Sequence, residues 1–260
     1  MPEFVEVEAY RRTAEPLVGE SIDGIEVADD RILRRAEPAF VYGVLGGATI
    51  ECTRRIGKVL LLDVSGGHTM SLTFGLRGWL SLDGRIARPS GGWRDRSPNE
   101  EHVRLRLEVG GRLLELEDQL RMATLEIDID DERLGVDVME LTKAQLAELL
   151  GRTTRAVKTL LMDQRRIAGI GNLIADEILY QGGIDPRRPG DELDADDVAA
   201  LWTGLRRTRR RVLDRNGSHQ GVLIQSGARE RGERCPRCGV EISRVQVGGR
   251  TTYFCPNHQR

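Results

Sequence analysis

Four residues near the end of the chain, Cys235, Cys238, Cys255 and His258, stand as two Cys-x-x-ligand pairs with sixteen residues between the pairs. Thiolates and an imidazole at that spacing suit a closed tetrahedral zinc site. The span between them, EISRVQVGGRTTYF, reads as two strands turning at Gly248 and Gly249. A unit of about thirty residues cannot build a core, so one structural Zn2+ would supply the folding free energy. The plain alternative is four unconnected residues.

A second candidate lies at the other end, where the chain opens MPEFVEVEAY. Methionine ahead of a small residue is routinely removed, which would leave Pro2 as a secondary amine with the carboxylate of Glu3 beside it. An α-amine has a pKa of about 8 against about 10.4 for lysine, so it is free base far more often near neutral pH. A Schiff base on proline is an iminium with a fixed positive charge, an electron sink for elimination of a β substituent. Glu3 would donate or accept the accompanying proton. Standing alone, Pro-Glu at a chain start is ordinarily accident.

The third signal is RRIAGIGNLIADEILYQGGIDP at 165–186. Its Gly-x-Gly follows no strand, so it is not a dinucleotide fingerprint. It delivers a helix N-terminus at Asn172, whose free amides and positive dipole end suit an anion. Lys158, Arg165 and Arg166 could join the same phosphate, although a plain turn between packed helices accounts for the glycines as well.

The elements that must position these groups change in texture along the chain. Residues 5–18 have helical content, and then short β-rich runs follow, from SIDGIEVADD through KVLLLDV and HTMSLTF to HVRLRLEV and RLLELED, parted by glycine turns. Regularly spaced short strands without intervening helices predict an antiparallel β-sandwich or barrel over 1–132. From residue 140 the period lengthens. LTKAQLAELLG carries a capping box in Thr142 and Gln145, and DADDVAALWTGLRRTRRRVLDR puts Val198, Leu201, Trp202, Leu205 and Val212 on one helical face. A helical domain is therefore expected over 133–228 and a zinc finger over 229–260.

The chain has 260 residues, 39% hydrophobic and 31% charged, enough for real cores; no run reaches the roughly 18 apolar residues of a membrane span. The start lacks the regions of a signal peptide, and the cysteine usage suits a reducing compartment, so a cytoplasmic location is expected. Cys52 reads as a core thiol. With 39 basic against 41 acidic residues there is no bulk attraction for nucleic acid, so such a function must rest on local patches such as RRTRRR at 206–211. Each run can equally be a solvated face.

Taken together, MPE with EVE soon after, the Gly-Lys-x-Leu-Leu-Leu strand at 57–62, the GIGN helix start and the zinc hairpin, in that order, resemble the formamidopyrimidine-DNA glycosylase and endonuclease VIII family of base-excision repair enzymes. The resemblance covers essentially the whole chain. It implies an α+β multidomain fold: an N-terminal β-sandwich with an N-terminal helix, a helix-two-turn-helix domain and a C-terminal β-hairpin zinc finger. It implies a bifunctional DNA glycosylase and abasic-site lyase acting by β,δ-elimination on damaged double-stranded DNA, as a monomer. Pro2 would be the nucleophile at C1′, Glu3 the proton shuttle, and Lys58 a phosphate ligand that assists proton transfer. Lys158, Asn172 and Arg250 would hold flanking phosphates, contacts that position without reading sequence. The damaged nucleotide would be flipped out and the gap filled by side chains.

The chain departs from that pattern in three places. Familiar bacterial members fill the gap with Met, Arg and Phe, the last two within Asp-Pro-Arg-Arg-Phe-Gly; here FGLRG and DQLRMA offer Leu76, Arg121 and Met122. Losing the aromatic forfeits base stacking of roughly 1–3 kcal/mol. The final zinc ligand is His258 in place of a cysteine. The stretch from Asn216 to Arg234 is short for a loop that caps an everted 8-oxoguanine, which favours oxidised pyrimidines, ring-opened purines, abasic sites or bulkier adducts. Two readings compete with the enzyme: a lesion-binding protein that no longer cuts, and a zinc-finger regulator, which lacks a recognition helix.

Overall fold

The computed structural model describes residues 2–230 and 232–260. Met1, whose removal would expose the Pro2 amine, and Arg231 lie outside them. The chain divides at Glu132/Arg133 into two compact units.

In the first unit, helix α1 (Phe4–Ala14) precedes strand β1 (Ile22–Val27), helix α2 (Pro38–Leu45) and nine further strands. These are β2 (Ile50–Ile56), β3 (Val59–Val64), β4 (His68–Thr73), β5 (Trp79–Leu82), β6 (Arg85–Ala87), β7 (Trp93–Asp95), β8 (Val103–Val109), β9 (Arg112–Glu117) and β10 (Thr124–Ile127). They pair antiparallel in two open sheets, β1-β8-β9-β5-β6-β7 and β10-β4-β3-β2. Period-two patterning explains the sandwich. Leu105, Leu107 and Val109 point into a core they share with Leu60, Leu62 and Leu72 of the other sheet, while Arg106 and Glu108 face outwards. Burying such alternate faces contributes about 25 cal/mol per Å2 of apolar surface.

Two expectations need correction. Helix α2 interrupts the strands: its short run of apolar, partly β-branched residues carries no helical period, yet Pro38 at its first turn and Gly46 after its last residue start and stop it. Cys52 is exposed on β2 and is no core thiol.

The second unit opens with β11 (Val136–Asp137), which pairs in parallel with β12 (Ile167–Ala168). Between them lie α3 (Lys143–Gly151), opened by the Thr142/Gln145 capping box, and the short α4 (Val157–Leu161). Helix α5 (Asn172–Gly182) then packs on α6 (Ala195–Asp214). Their approach is close because Gly204 lacks a side chain: a Cβ there would stand 2.5 Å from the Ile178 carbonyl oxygen. Asp194 caps α6 by accepting the Asp196 and Asp197 amides, and Val198, Leu201, Leu205 and Val212 bury the predicted face with Trp202 half-buried. The turn α7 (Val222–Gln225) leads to the hairpin β13 (Ser243–Val247) and β14 (Arg250–Phe254), which reverses at Gly248 and Gly249, both with positive φ. No helix among the described residues is long and apolar enough to cross a membrane.

Candidate active site

The first turn of α1 holds the acidic candidate. Glu3 is the N-cap residue, buried to 1% exposure. Its backbone N–H donates to Glu6 Oε2 at 2.9 Å, closing a capping box that fixes the direction in which Pro2 leaves the helix. Pro2 itself is half-buried.

The Lys58 turn is tied to the same helix end by a residue that sequence reasoning missed. Gly57 and Lys58 form the two-residue turn between β2 and β3, with Gly57 at φ 59°, a left-handed conformation that glycine adopts without cost. Arg55, two residues before Gly57, donates to the Gly57 carbonyl at 2.8 Å, stacks its guanidinium 5.9 Å over the Phe4 ring and pairs with Glu8 at 3.5 Å. Lys58 is half-buried at this turn. Burial opposes ionisation of Glu8, but hydrogen bonds from Arg11 and Arg12 and the charge of Arg55 outweigh it, holding the carboxyl below its ordinary range. Nothing in sequence spacing marks Arg55, since the contact needs β2 and α1 folded together.

The opposite side of α1 positions the Leu76 turn. Tyr10 donates to the Gly78 carbonyl at 3.1 Å and packs its ring 4.4 Å from that of Phe74, and burial pushes its hydroxyl pKa up. The neighbouring loop 119–123 is built around Asp118. This fully buried carboxylate accepts the amides of Leu120 at 3.0 Å, Met122 at 2.5 Å and Ala123 at 2.7 Å. Leu76, Met122 and Arg121 are all exposed, and Arg121, at φ 55°, lies 3.6 Å from Asp29.

In the second unit the zinc hairpin and the start of α5 come together. The Thr251 carbonyl accepts from Asn172 Nδ2 at 3.1 Å and from Lys158 Nζ at 3.2 Å. Gly248 sits so close to α4 that a Cβ would stand 2.7 Å from Thr159 Oγ1. Gln164 staples the GIGN turn by accepting the Gly169 amide and donating to the Met162 and Ile170 carbonyls. Arg250 at the hairpin turn is exposed.

Lys158 is where the expectation of a phosphate ligand fails. It is fully buried, its ammonium 2.6 Å from Asp176 and 2.7 Å from Thr252 Oγ1, with Arg229 on the other carboxylate oxygen at 3.0 Å. Burial raises the Asp176 pKa against the pull of Lys158 and Arg229. A lysine with this environment ties α4, α5 and the hairpin together. Of the α6 arginines, Arg209 and Arg211 donate to backbone carbonyls, leaving Arg206, Arg207 and Arg210 exposed.

The four predicted metal ligands converge, their ligand atoms all within 4.8 Å of one another. Cys238 and Cys255 sulfurs lie 3.4 Å apart, and His258 Nδ1 lies 3.7 Å from the Cys235 sulfur and 3.9 Å from that of Cys238. Zn–S bonds of about 2.3 Å in a tetrahedron put ligand atoms roughly 3.7 Å apart, so the donor set fits one Zn2+. Burial works against the Cys235 thiolate, but the Tyr180 hydroxyl and nearby amides prevail and bring its pKa down to about 7; burial pushes Cys255 up to about 11.

Comparison with known proteins agrees with each part. The chain matches the formamidopyrimidine-DNA glycosylase N-terminal domain over residues 1–125, the H2TH domain of these glycosylases over 134–222, and the zinc finger found in FPG and IleRS over 232–257. It is 30% identical to the formamidopyrimidine-DNA glycosylase of Bacillus subtilis, with 100% of this chain and 99% of that one covered. It is 33% identical to that of Roseiflexus, with both chains covered in full. Among solved structures, the Lactococcus lactis Fpg bound to DNA containing N7-benzyl-Fapy-dG has a TM-score of 0.83 at 25% identity, covering 100% of both chains. The same protein with DNA containing an oxidised pyrimidine gives 0.83 at 26% over the same coverage. A sandwich carrying Pro2 and Glu3, an H2TH unit and a four-ligand zinc hairpin, matched end to end by these relatives, make this chain a member of the formamidopyrimidine-DNA glycosylase family.

Proposed function

We propose that this protein is a bifunctional base-excision repair enzyme that removes a damaged base from double-stranded DNA and then nicks the strand as an abasic-site lyase. The observation that carries the reading is the union of Glu3, buried at the first turn of α1, with the Lys58 turn through Arg55. With Met1 removed, the Pro2 nitrogen attacks C1′. The N–C1′ bond forms as the glycosidic bond breaks, and the base leaves with the bonding pair and takes up a proton. Glu3 shuttles the proton that opens the sugar ring, giving an iminium. Loss of the C2′ proton then expels the 3′ phosphate, and a further elimination expels the 5′ phosphate. Lys58 would balance phosphate charge beside the reacting sugar. Asn172 and Arg250 would hold flanking phosphates, and one Zn2+ on Cys235, Cys238, Cys255 and His258 would keep the hairpin folded. It would act as a monomer in the cytoplasm.

Borohydride in the presence of an abasic duplex tests this. The expected result is a covalent protein–DNA adduct, together with a Glu3→Gln variant that loses base release far more than binding. Tight binding of the duplex with no adduct would refute lyase action and leave a lesion-binding protein.

A further inference from the structure

Two arginines share one indole in the six-stranded sheet. Trp79 opens β5 and is half-buried, and the guanidinium carbons of Arg94 and Arg96 lie 5.3 Å and 4.2 Å from its ring centroid. Stacking of this kind holds a guanidinium flat while its N–H edge stays free to donate, so less freedom is lost when an anion binds. The two arginines differ in what else they meet. Arg96 lies 3.4 Å from Glu117, whose side chain is 3% exposed, and so belongs to the fold. Arg94 is exposed on the edge strand β7 and has no carboxylate partner among the described residues.

The sheet register says where this unpaired cation stands. Trp79 is the cross-strand partner of Glu117, the last residue of β9. Leu76 lies three residues before Trp79 and Leu120 three residues after Glu117, so the stack sits where the 74–78 turn and the 119–123 loop leave the sheet. These two segments touch, since a Cβ on Gly75 would lie 2.6 Å from Met122 Cβ. Helix α1 reaches the same place, with Tyr10 donating to the carbonyl of Gly78 beside Trp79. A duplex set against this edge brings a phosphate about every 3.4 Å along each strand. We propose that Arg94, held flat on Trp79, binds a backbone phosphate close to the lesion, with Trp79 as its positioning residue. The contact fixes the register of the duplex and reads no base. This inference rests on the DNA-repair reading above and adds a phosphate ligand to Lys58, Asn172 and Arg250.

The test is binding, which separates it from the lyase chemistry. A duplex carrying a tetrahydrofuran abasic analogue is titrated at several salt concentrations with wild type, Arg94→Gln, Arg94→Lys, Trp79→Leu, the Trp79→Leu/Arg94→Gln double variant and Arg112→Gln, which removes the same charge at the far end of β9. Arg94→Gln should lower the log–log salt slope by about one and weaken binding about fivefold at 0.15 M salt, with an unchanged melting temperature. Arg94→Lys should keep the slope and recover only part of the affinity, because an ammonium cannot present the stacked fork. The double variant should bind no more weakly than Arg94→Gln, since the indole acts through the arginine. Replacing single phosphates near the lesion by neutral methylphosphonates should reveal one position that weakens wild type and leaves Arg94→Gln unaffected. A wild-type salt slope for Arg94→Gln, an equal loss for Arg112→Gln, or additive losses in the double variant would overturn the proposal. A wild-type protein that binds no duplex would overturn the DNA-repair reading as well, whereas failed borohydride trapping with these binding results intact would refute only the lyase action.

Discussion

Replacing Lys158 by methionine separates a structural lysine from a DNA ligand. The ammonium is fully buried, 2.6 Å from Asp176. Its other acceptors lose little, since Thr251 still accepts from Asn172 and Thr252 Oγ1 still donates to the Arg250 carbonyl. What remains is a buried carboxylate with half its compensation gone. Removing one partner of such a pair typically costs about 3–5 kcal/mol. Asp176→Asn in the Lys158→Met background keeps the acceptor for Arg229 and removes the uncompensated charge, so the double variant should be more stable than the sum of the singles implies, by about 1–3 kcal/mol of coupling. The pH dependence has a definite sign. Burial already raises the Asp176 pKa in the folded state, and losing Lys158 raises it further. A carboxyl raised on folding favours the folded state most below its unfolded pKa and loses that contribution as pH rises through the folded value. The Lys158→Met penalty should therefore grow as pH rises from the unfolded value of the Asp176 carboxyl through its folded one. Denaturant unfolding of the single and double variants measures the cost, and the salt dependence of DNA binding measures any phosphate contact. A variant within about 1 kcal/mol of wild type whose log–log salt slope falls by about one would refute the buried-anchor argument and restore Lys158 as a phosphate ligand.

Chelating the metal should melt the hairpin that presents Arg250, because structural zinc carries apparent binding free energies of about 10–16 kcal/mol in small fingers. His258→Cys should retain stoichiometric zinc by metal analysis and keep DNA affinity, whereas Cys238→Ala should lose both, and equal loss in the two variants would argue against the tetrahedral assignment. Glu8, Asp63 and Asp185 sit below their ordinary values, burial or solvent exposure notwithstanding, because Arg11, Arg54 and Arg187 hydrogen-bond to them. Their contribution is present above the unfolded pKa values and disappears as pH falls through the folded ones, so the melting temperature should be level above about pH 5 and drop below about pH 4; a melting temperature that rises on acidification would contradict these pairings.

Local chemistry determined much of this protein in one dimension. The Cys-x-x-Cys and Cys-x-x-His pairs, the Gly248-Gly249 turn and the Thr142/Gln145 box each depend on residues close together in the chain, and each stands in the structure as read. So does the helix start at Asn172. Helix α2 escaped because eight residues supply hardly two turns of periodicity, and tertiary burial of Val41 and Leu45 decides it. The burial of Lys158 was hidden for a different reason: Asp176, Arg229 and Thr252 lie 18, 71 and 94 positions away. Arg55 became visible as the link between the chain start and the Lys58 turn only when α1 lay against β2, and the touching of the Leu76 and Met122 loops only when a Gly75 side chain proved to have no room. Spacing along the chain announces ligands and turns because those bonds are short in sequence. Desolvation and charge pairing are set by whatever the fold brings alongside, and that is a property of the packed molecule.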